Sequence, residues 1–120
     1  MSQVSYLWGL LLVASALGGC GGTDIRVKND STYTLEDIEI TTPSQTEPFG
    51  TLTPTTMSEY VTFDEAYQYA AATFVASGYR FELAPTDYSG EEELGSGEFT
   101  YHIAIEDFAQ GIAYIFTTED

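Results

Sequence analysis

From Asp24 onward, apolar and polar residues alternate with the two-residue period of β-strands. Ile25, Val27 and Asn29 share one face of a first strand, with Arg26 and Lys28 on the other. Asn29-Asp30-Ser31 is turn chemistry. Leu35 to Thr42 predicts a second strand, with Ile38 and Ile40 inward and Glu39 and Thr41 outward. Pro43 to Pro48 predicts a loop, and Pro54 ends a short segment around Leu52. Met57 to Phe63 predicts a third strand. The run from Phe63 to Ala66 suits a turn or one helical turn capped by Asp64.

Tyr67 to Val75 alternates again. Its alanines favour a helix by propensity, but its flanks favour a strand. Ser77-Gly78 predicts a hairpin turn into Tyr79, Phe81 and Leu83, which alternate with Arg80 and Glu82. Pro85 to Ser96 predicts a longer acidic loop. Phe99, Tyr101, Ile103 and Ile105 then face one way, and Thr100, His102, Ala104 and Glu106 the other. Asp107 to Gly111 turns the chain into a last strand, with Ile112, Tyr114 and Phe116 opposite Ala113, Ile115 and Thr117. About seven short strands at this turn spacing predict an all-β fold, a single antiparallel β-sandwich.

The N-terminal end does not alternate. Leu7 to Leu17 is an apolar stretch too short to span a bilayer, which takes about 20 such residues. Small residues follow, then the only cysteine: Leu17-Gly18-Gly19-Cys20. This run resembles the lipobox of bacterial lipoproteins. The resemblance implies that residues 1–19 form a signal peptide, cut between Gly19 and Cys20, and that the Cys20 thiol is acylated. A lone cysteine forms no internal disulfide, and acylation accounts for its presence. The n-region departs from the usual pattern in having no Lys or Arg. Residues 20–23 would be the lipidated cysteine and a short tether, and residues 24–120 the β-sandwich domain. Gly21 in place of Asp after the cysteine fits, by the family's sorting rules, passage to the outer membrane, with the leaflet left open.

Charge narrows the partners. All 19 acidic and all three basic residues follow Cys20, so the folded part carries the whole formal charge of −16. Nucleic acid is excluded as an expected partner, because phosphate binding needs clustered Lys and Arg. An anionic bilayer would repel this domain, so the lipid must hold it there. A general acidic surface, as in salty surroundings, accounts for the bias better than one local cation site.

Further segments carry a wider resemblance. They are Phe49-Gly50-Thr51-Leu52-Thr53-Pro54, Ser58-Glu59-Tyr60, the run from Phe63 to Ala70, the run from Pro85 to Glu91, and Gly97-Glu98-Phe99-Thr100-Tyr101. Together they resemble a family of small, uncharacterised lipoproteins of Gram-negative bacteria. That resemblance implies an immunoglobulin- or transthyretin-like sandwich behind a lipobox, and no activity. The chain departs from the family at Pro54, which is followed by Thr55 where members often have Gly.

Enzyme signatures are missing: there is no GxSxG, phosphate-binding glycine loop or HExxH. His102, the only histidine, reads as a solvated strand residue, and no catalytic residue or cofactor is expected. Asp87, Ser89, Glu91, Glu92 and Glu93 cluster around Gly90, and calcium takes six to eight oxygen ligands. Their spacing is not that of an EF-hand. Asp87, Glu91, Glu92 and Glu93 are therefore calcium candidates beside a simpler reading as solvated charge. Of the tyrosines, Tyr67, Tyr69, Tyr79, Tyr101 and Tyr114 are expected mostly in the core or half-core, and Tyr33, Tyr60 and Tyr88 near turns. Exposed tyrosines would instead suit contact with a sugar or protein. The expected role is a lipid-anchored, non-catalytic module of the cell envelope that binds an envelope or surface protein or a glycan. The alternatives are a purely structural envelope lipoprotein and a calcium- or glycan-binding surface module.

Overall fold

The computed structural model describes residues 22–84 and 93–120. The proposed cut at Gly19 and Cys20 lies outside this range, as do Asp87, Tyr88, Glu91 and Glu92. Among the described residues there are eight strands: β1 (Thr23–Asn29), β2 (Leu35–Thr41), β3 (Thr46–Leu52), β4 (Val61–Phe63), β5 (Ala71–Ala76), β6 (Tyr79–Leu83), β7 (Gly97–Asp107) and β8 (Ile112–Glu119). They form two four-stranded sheets, ordered β4-β1-β7-β8 and β3-β2-β5-β6. The sheets pack as a sandwich around a core that includes Ile25, Val27, Ile38, Ile40, Phe63, Phe74, Tyr101 and Ile103, all fully buried.

Alternation dictates most of this core. β1 buries every second residue from Thr23 to Asn29. β5 buries Ala72, Phe74 and Ala76, and small alanines on that face leave room for the large ring of Phe74. Phe74 stacks on Phe81 of β6 with ring centroids 5.0 Å apart. Truncating so buried an aromatic ring costs about 3–5 kcal/mol.

The pattern fails where the backbone departs from regular geometry. Leu35 and Ile38 are three apart yet both fully buried. A bulge at Asp37, with φ at 51°, inserts the extra residue that makes this possible. Strand β3 begins at Thr46 and runs through Pro48, where a loop was expected. Pro48 is tolerated because β3 is an edge strand and its missing N–H breaks no essential ladder bond. Of the expected Met57–Phe63 strand, only Val61–Phe63 pairs regularly. Upstream of it, the Ser58 hydroxyl accepts a bond from Val27 N–H at 2.9 Å in place of a backbone carbonyl. Ala71, not Tyr67, starts β5, and no helical turn follows Phe63.

One pairing departs from an all-antiparallel sandwich. β1 and β7 run parallel, with Ile25 beside Phe99 and Val27 beside Tyr101. Alternation is silent about strand direction, and the long connection through the other sheet lets the two run the same way. The parallel pair also sets the poles. Gly22, the start of β7 and Asp120 lie at one end, where Asp120 N–H donates to the Glu98 carbonyl at 2.9 Å. The β1–β2 loop and the turns at 53–56, 77–78 and 107–111 lie at the other.

Turn chemistry closes this distal end. Ser77 and Gly78 both have positive φ, at 48° and 82°, which defines the primed turn expected for a two-residue hairpin. Thr53 to Thr56 form a turn with Pro54 at its second position and Thr55 at its third, with φ of 69° and a Thr56 N–H to Thr53 carbonyl bond. That is the type II geometry that ordinarily calls for glycine at the third position.

Candidate binding surface

Three side-chain arrangements stand out, and the first is structural. Asn29 ends the buried face of β1 and is fully buried. Its amide donates to the carbonyls of Tyr33 at 2.6 Å and Leu52 at 2.9 Å. Its Oδ1 accepts from the backbone N–H and the hydroxyl of Ser31, at 2.8 and 2.7 Å. All the ordinary hydrogen-bonding capacity of the amide is used, so a polar residue on the core face is stable there.

The second arrangement covers the outer face of the first sheet. Arg26 and Lys28 of β1 stand beside Thr100 and His102 of β7, which stand beside Thr118 and Phe116 of β8. Asp120 accepts from the Tyr60 hydroxyl at 2.5 Å and from Thr100 Oγ1 at 2.7 Å, and lies 3.3 Å from Arg26 Nε. The Arg26 guanidinium also sits over the Tyr60 ring, 4.9 Å from its centroid. Burial pushes the Asp120 carboxyl upward, but the bonds from Tyr60 and Thr100 and the charge of Arg26 outweigh it, leaving its pKa below the usual value. The hydrogen bond to Asp120, with burial adding to it, raises the pKa of the Tyr60 hydroxyl.

His102 differs from its expected solvated state. Its side chain is only 15% exposed. Nδ1 lies 2.8 Å from Asp30 Oδ2, Nε2 lies 2.8 Å from Thr118 Oγ1, and the ring stacks on Phe116 with centroids 4.5 Å apart. Lys28 holds the other Asp30 oxygen at 3.2 Å. An Asp-His-Thr line has the members of a hydrolytic relay, but it lies across an open sheet. Two hollows lined by described residues lie elsewhere, and neither touches His102 or Thr118.

The third arrangement is a half-open groove of about 560 Å³ at the distal end, lined by Tyr79, Arg80, Phe81, Phe108 and residues 109–111. Phe108 is its centre. It stacks on Tyr33 at 4.5 Å, meets Tyr79 edge-on at 5.6 Å and approaches Phe81 at 5.5 Å. Through Phe81 the rings connect to Phe74 in the core. Tyr79 is 66% exposed and leaves much of its ring free for a partner. Its size lies within the range of small-ligand sites, about 300–1,000 Å³.

The tyrosines therefore depart from the expected burial. Tyr101 is buried and its hydroxyl donates to the Tyr67 carbonyl, but Tyr69, Tyr79 and Tyr114 are 49%, 66% and 47% exposed. Strand alternation puts a tyrosine on a face without saying whether another sheet covers that face. Phe108 was missed because it lies in the Asp107–Gly111 turn, where periodicity is uninformative. Glu93, the one calcium candidate among the described residues, is exposed and shares a shallow hollow with Glu119. No three His, Cys, Asp or Glu side chains converge there or elsewhere among the described residues.

No family model matches the sequence, and no curated protein matches it. An NMR structure of a protein from Eubacterium rectale is similar, with a TM-score of 0.56 and 16% sequence identity. The alignment covers 88% of this chain and 97% of that one. At such identity the likeness carries the fold alone. It joins the two-sheet architecture in making this a small all-β sandwich with a solved structural neighbour.

Proposed function

We propose that the protein is a lipid-anchored, non-catalytic binding module of the cell envelope, held through Cys20 on the outer membrane of a Gram-negative bacterium. The lipobox-like run Leu17 to Cys20 supports the anchor. One acyl chain binds a bilayer only marginally, so two or more are needed for a stable hold. The observation that carries the binding role is the groove built on Phe108, with Tyr79 largely exposed beside it. Gly22, two residues beyond Cys20, lies at the opposite end of the sandwich. An anchor there would point the groove away from the bilayer, toward an envelope or surface protein or a glycan. Aromatic rings with Arg80 and Gln110 at the rim offer apolar area and polar orientation together, which suits either partner.

The test places a photo-crosslinking phenylalanine analogue at Tyr79 of the full chain in intact cells. A discrete adduct that disappears with Phe108→Ala, and does not form from the same probe at Glu39 on β2, away from the groove, supports the reading. Equal adducts from both positions, or none from Tyr79, overturn it.

A further inference from the structure

A two-sheet sandwich has four edge strands, and each exposes unpaired backbone N–H and C=O groups that can template another strand. Among the described residues they are β4, β8, β3 and β6. Three carry recognisable protection. β4 is three residues long. β3 contains Pro48 and a register irregularity. β6 presents Arg80 and Glu82, paired with each other at 3.2 Å. β8 has none of these devices. From Ile112 to Thr118 it reads IAYIFTT, with no charge, proline or glycine. Among the described residues its backbone ladder runs only to β7, apart from the Asp120 N–H that caps the end of the strand. Its solvent-facing residues Ile112, Tyr114 and Phe116 are 44%, 47% and 38% exposed.

We infer that β8 is a self-association edge and that its occupant is β8 of a second copy of this chain. Antiparallel pairing about a two-fold axis at Ile115 sets Tyr114 opposite Phe116 of the other copy and Ile112 opposite its Thr118. Cross-strand aromatic pairs favour such a register. It also sets Glu119 opposite Gly111, so no carboxylates face each other along the seam. This matters for two bodies of formal charge −16 each. The other edges would bring Glu47 or Glu82 together, whereas β8 is a neutral path of approach. The two outer faces become one eight-stranded sheet with the two aromatic strips side by side. A basic partner strand fits less well, because residues 112–118 hold no carboxylate to recognise it. One strand pair buries less than the roughly 1,600 Å² of a standard interface, so the dimer is weak and concentration-dependent. Salt strengthens it by screening the repulsion: the Debye length falls from about 10 Å at 0.1 M to about 3 Å at 1 M.

This inference rests on β8 alone and stands apart from the distal groove. The full chain in mild detergent, with the photo-crosslinking phenylalanine analogue at Tyr114, tests it. The expected product has twice the chain mass and rises several-fold in yield at high salt. It is lost with Phe116→Lys, whose strand content by circular dichroism shows that the variant is folded. The same probe at Glu39 should give none, which separates edge pairing from association through the apolar N-terminal segment. A chain that stays single from position 114, or doubles equally from position 39, or doubles despite Phe116→Lys, overturns it.

Discussion

The side-chain amide of Asn29 reaches the Leu52 carbonyl at 2.9 Å and thereby ties the end of β1 in one sheet to the end of β3 in the other. Oδ1 of the same side chain holds the Ser31 N–H. Asn29→Ala would strand a buried carbonyl and a buried amide at once. The expected loss is about 2–4 kcal/mol, read from urea unfolding with the slope unchanged. Asn29→Asp should also destabilise, because an acceptor-only carboxylate faces the carbonyls of Tyr33 and Leu52.

Thr55 has the opposite character. A β-branched residue at φ of 69° is strained, and the turn geometry suits glycine. Thr55→Gly is expected to stabilise by about 1 kcal/mol, relief of strain exceeding the extra backbone entropy of glycine. The Thr55 N–H to Asn29 carbonyl bond survives the change. A higher midpoint of thermal unfolding checks this, and an unchanged or lower one counts against the strain.

The Asp120 cluster sets a pH window. The pKa of Asp120 is lowered in the folded state, so its contribution is present above the unfolded carboxylate range and lost as pH falls through the folded value. Tyr60 is raised, so its contribution is full below the ordinary tyrosine value and lost as pH rises through the folded one. Asp120→Asn should flatten the acid limb of the stability profile, and Tyr60→Phe the alkaline limb. Melting temperatures across pH would show identical limbs if the cluster contributed nothing.

Tyr79 and Phe108 separate binding from stability. Tyr79→Ala removes an exposed ring and should change stability by no more than about 0.5 kcal/mol. Phe108→Ala removes the ring that touches Tyr33, Tyr79 and Phe81, and should cost about 2–3 kcal/mol at this half-buried site. Denaturant unfolding of the two variants provides the comparison. A large loss in Tyr79→Ala would mean that its ring belongs to the core.

Much of this fold is legible in the alternation of residues, because one face of each sheet is buried and the period exposes it. Ile25, Val27, Tyr101 and Ile103 follow that rule, and the Ser77-Gly78 hairpin follows from turn chemistry. The pattern does not contain strand direction, so the parallel pairing of β1 with β7 stays hidden. It does not reveal the bulge at Asp37 or a proline accommodated on an edge. The groove is illegible for a related reason. Phe108 is a turn residue, and its meeting with Tyr33 and Tyr79 joins three distant parts of the chain. His102 was assigned to the correct face, but its two partners, Asp30 and Thr118, come from neighbouring positions that only the strand register brings together.

The account depends most on the anchor, since only attachment at Cys20 gives the two poles of the sandwich different roles. The direct measurement is to grow a Gram-negative host expressing the full chain with an alkyne-bearing fatty acid. The membrane-bound protein is then tagged by cycloaddition and compared with Cys20→Ser. The account predicts a labelled wild-type chain, shortened by the loss of residues 1–19, and an unlabelled variant. An unlabelled wild-type chain, or label that survives Cys20→Ser, would contradict it.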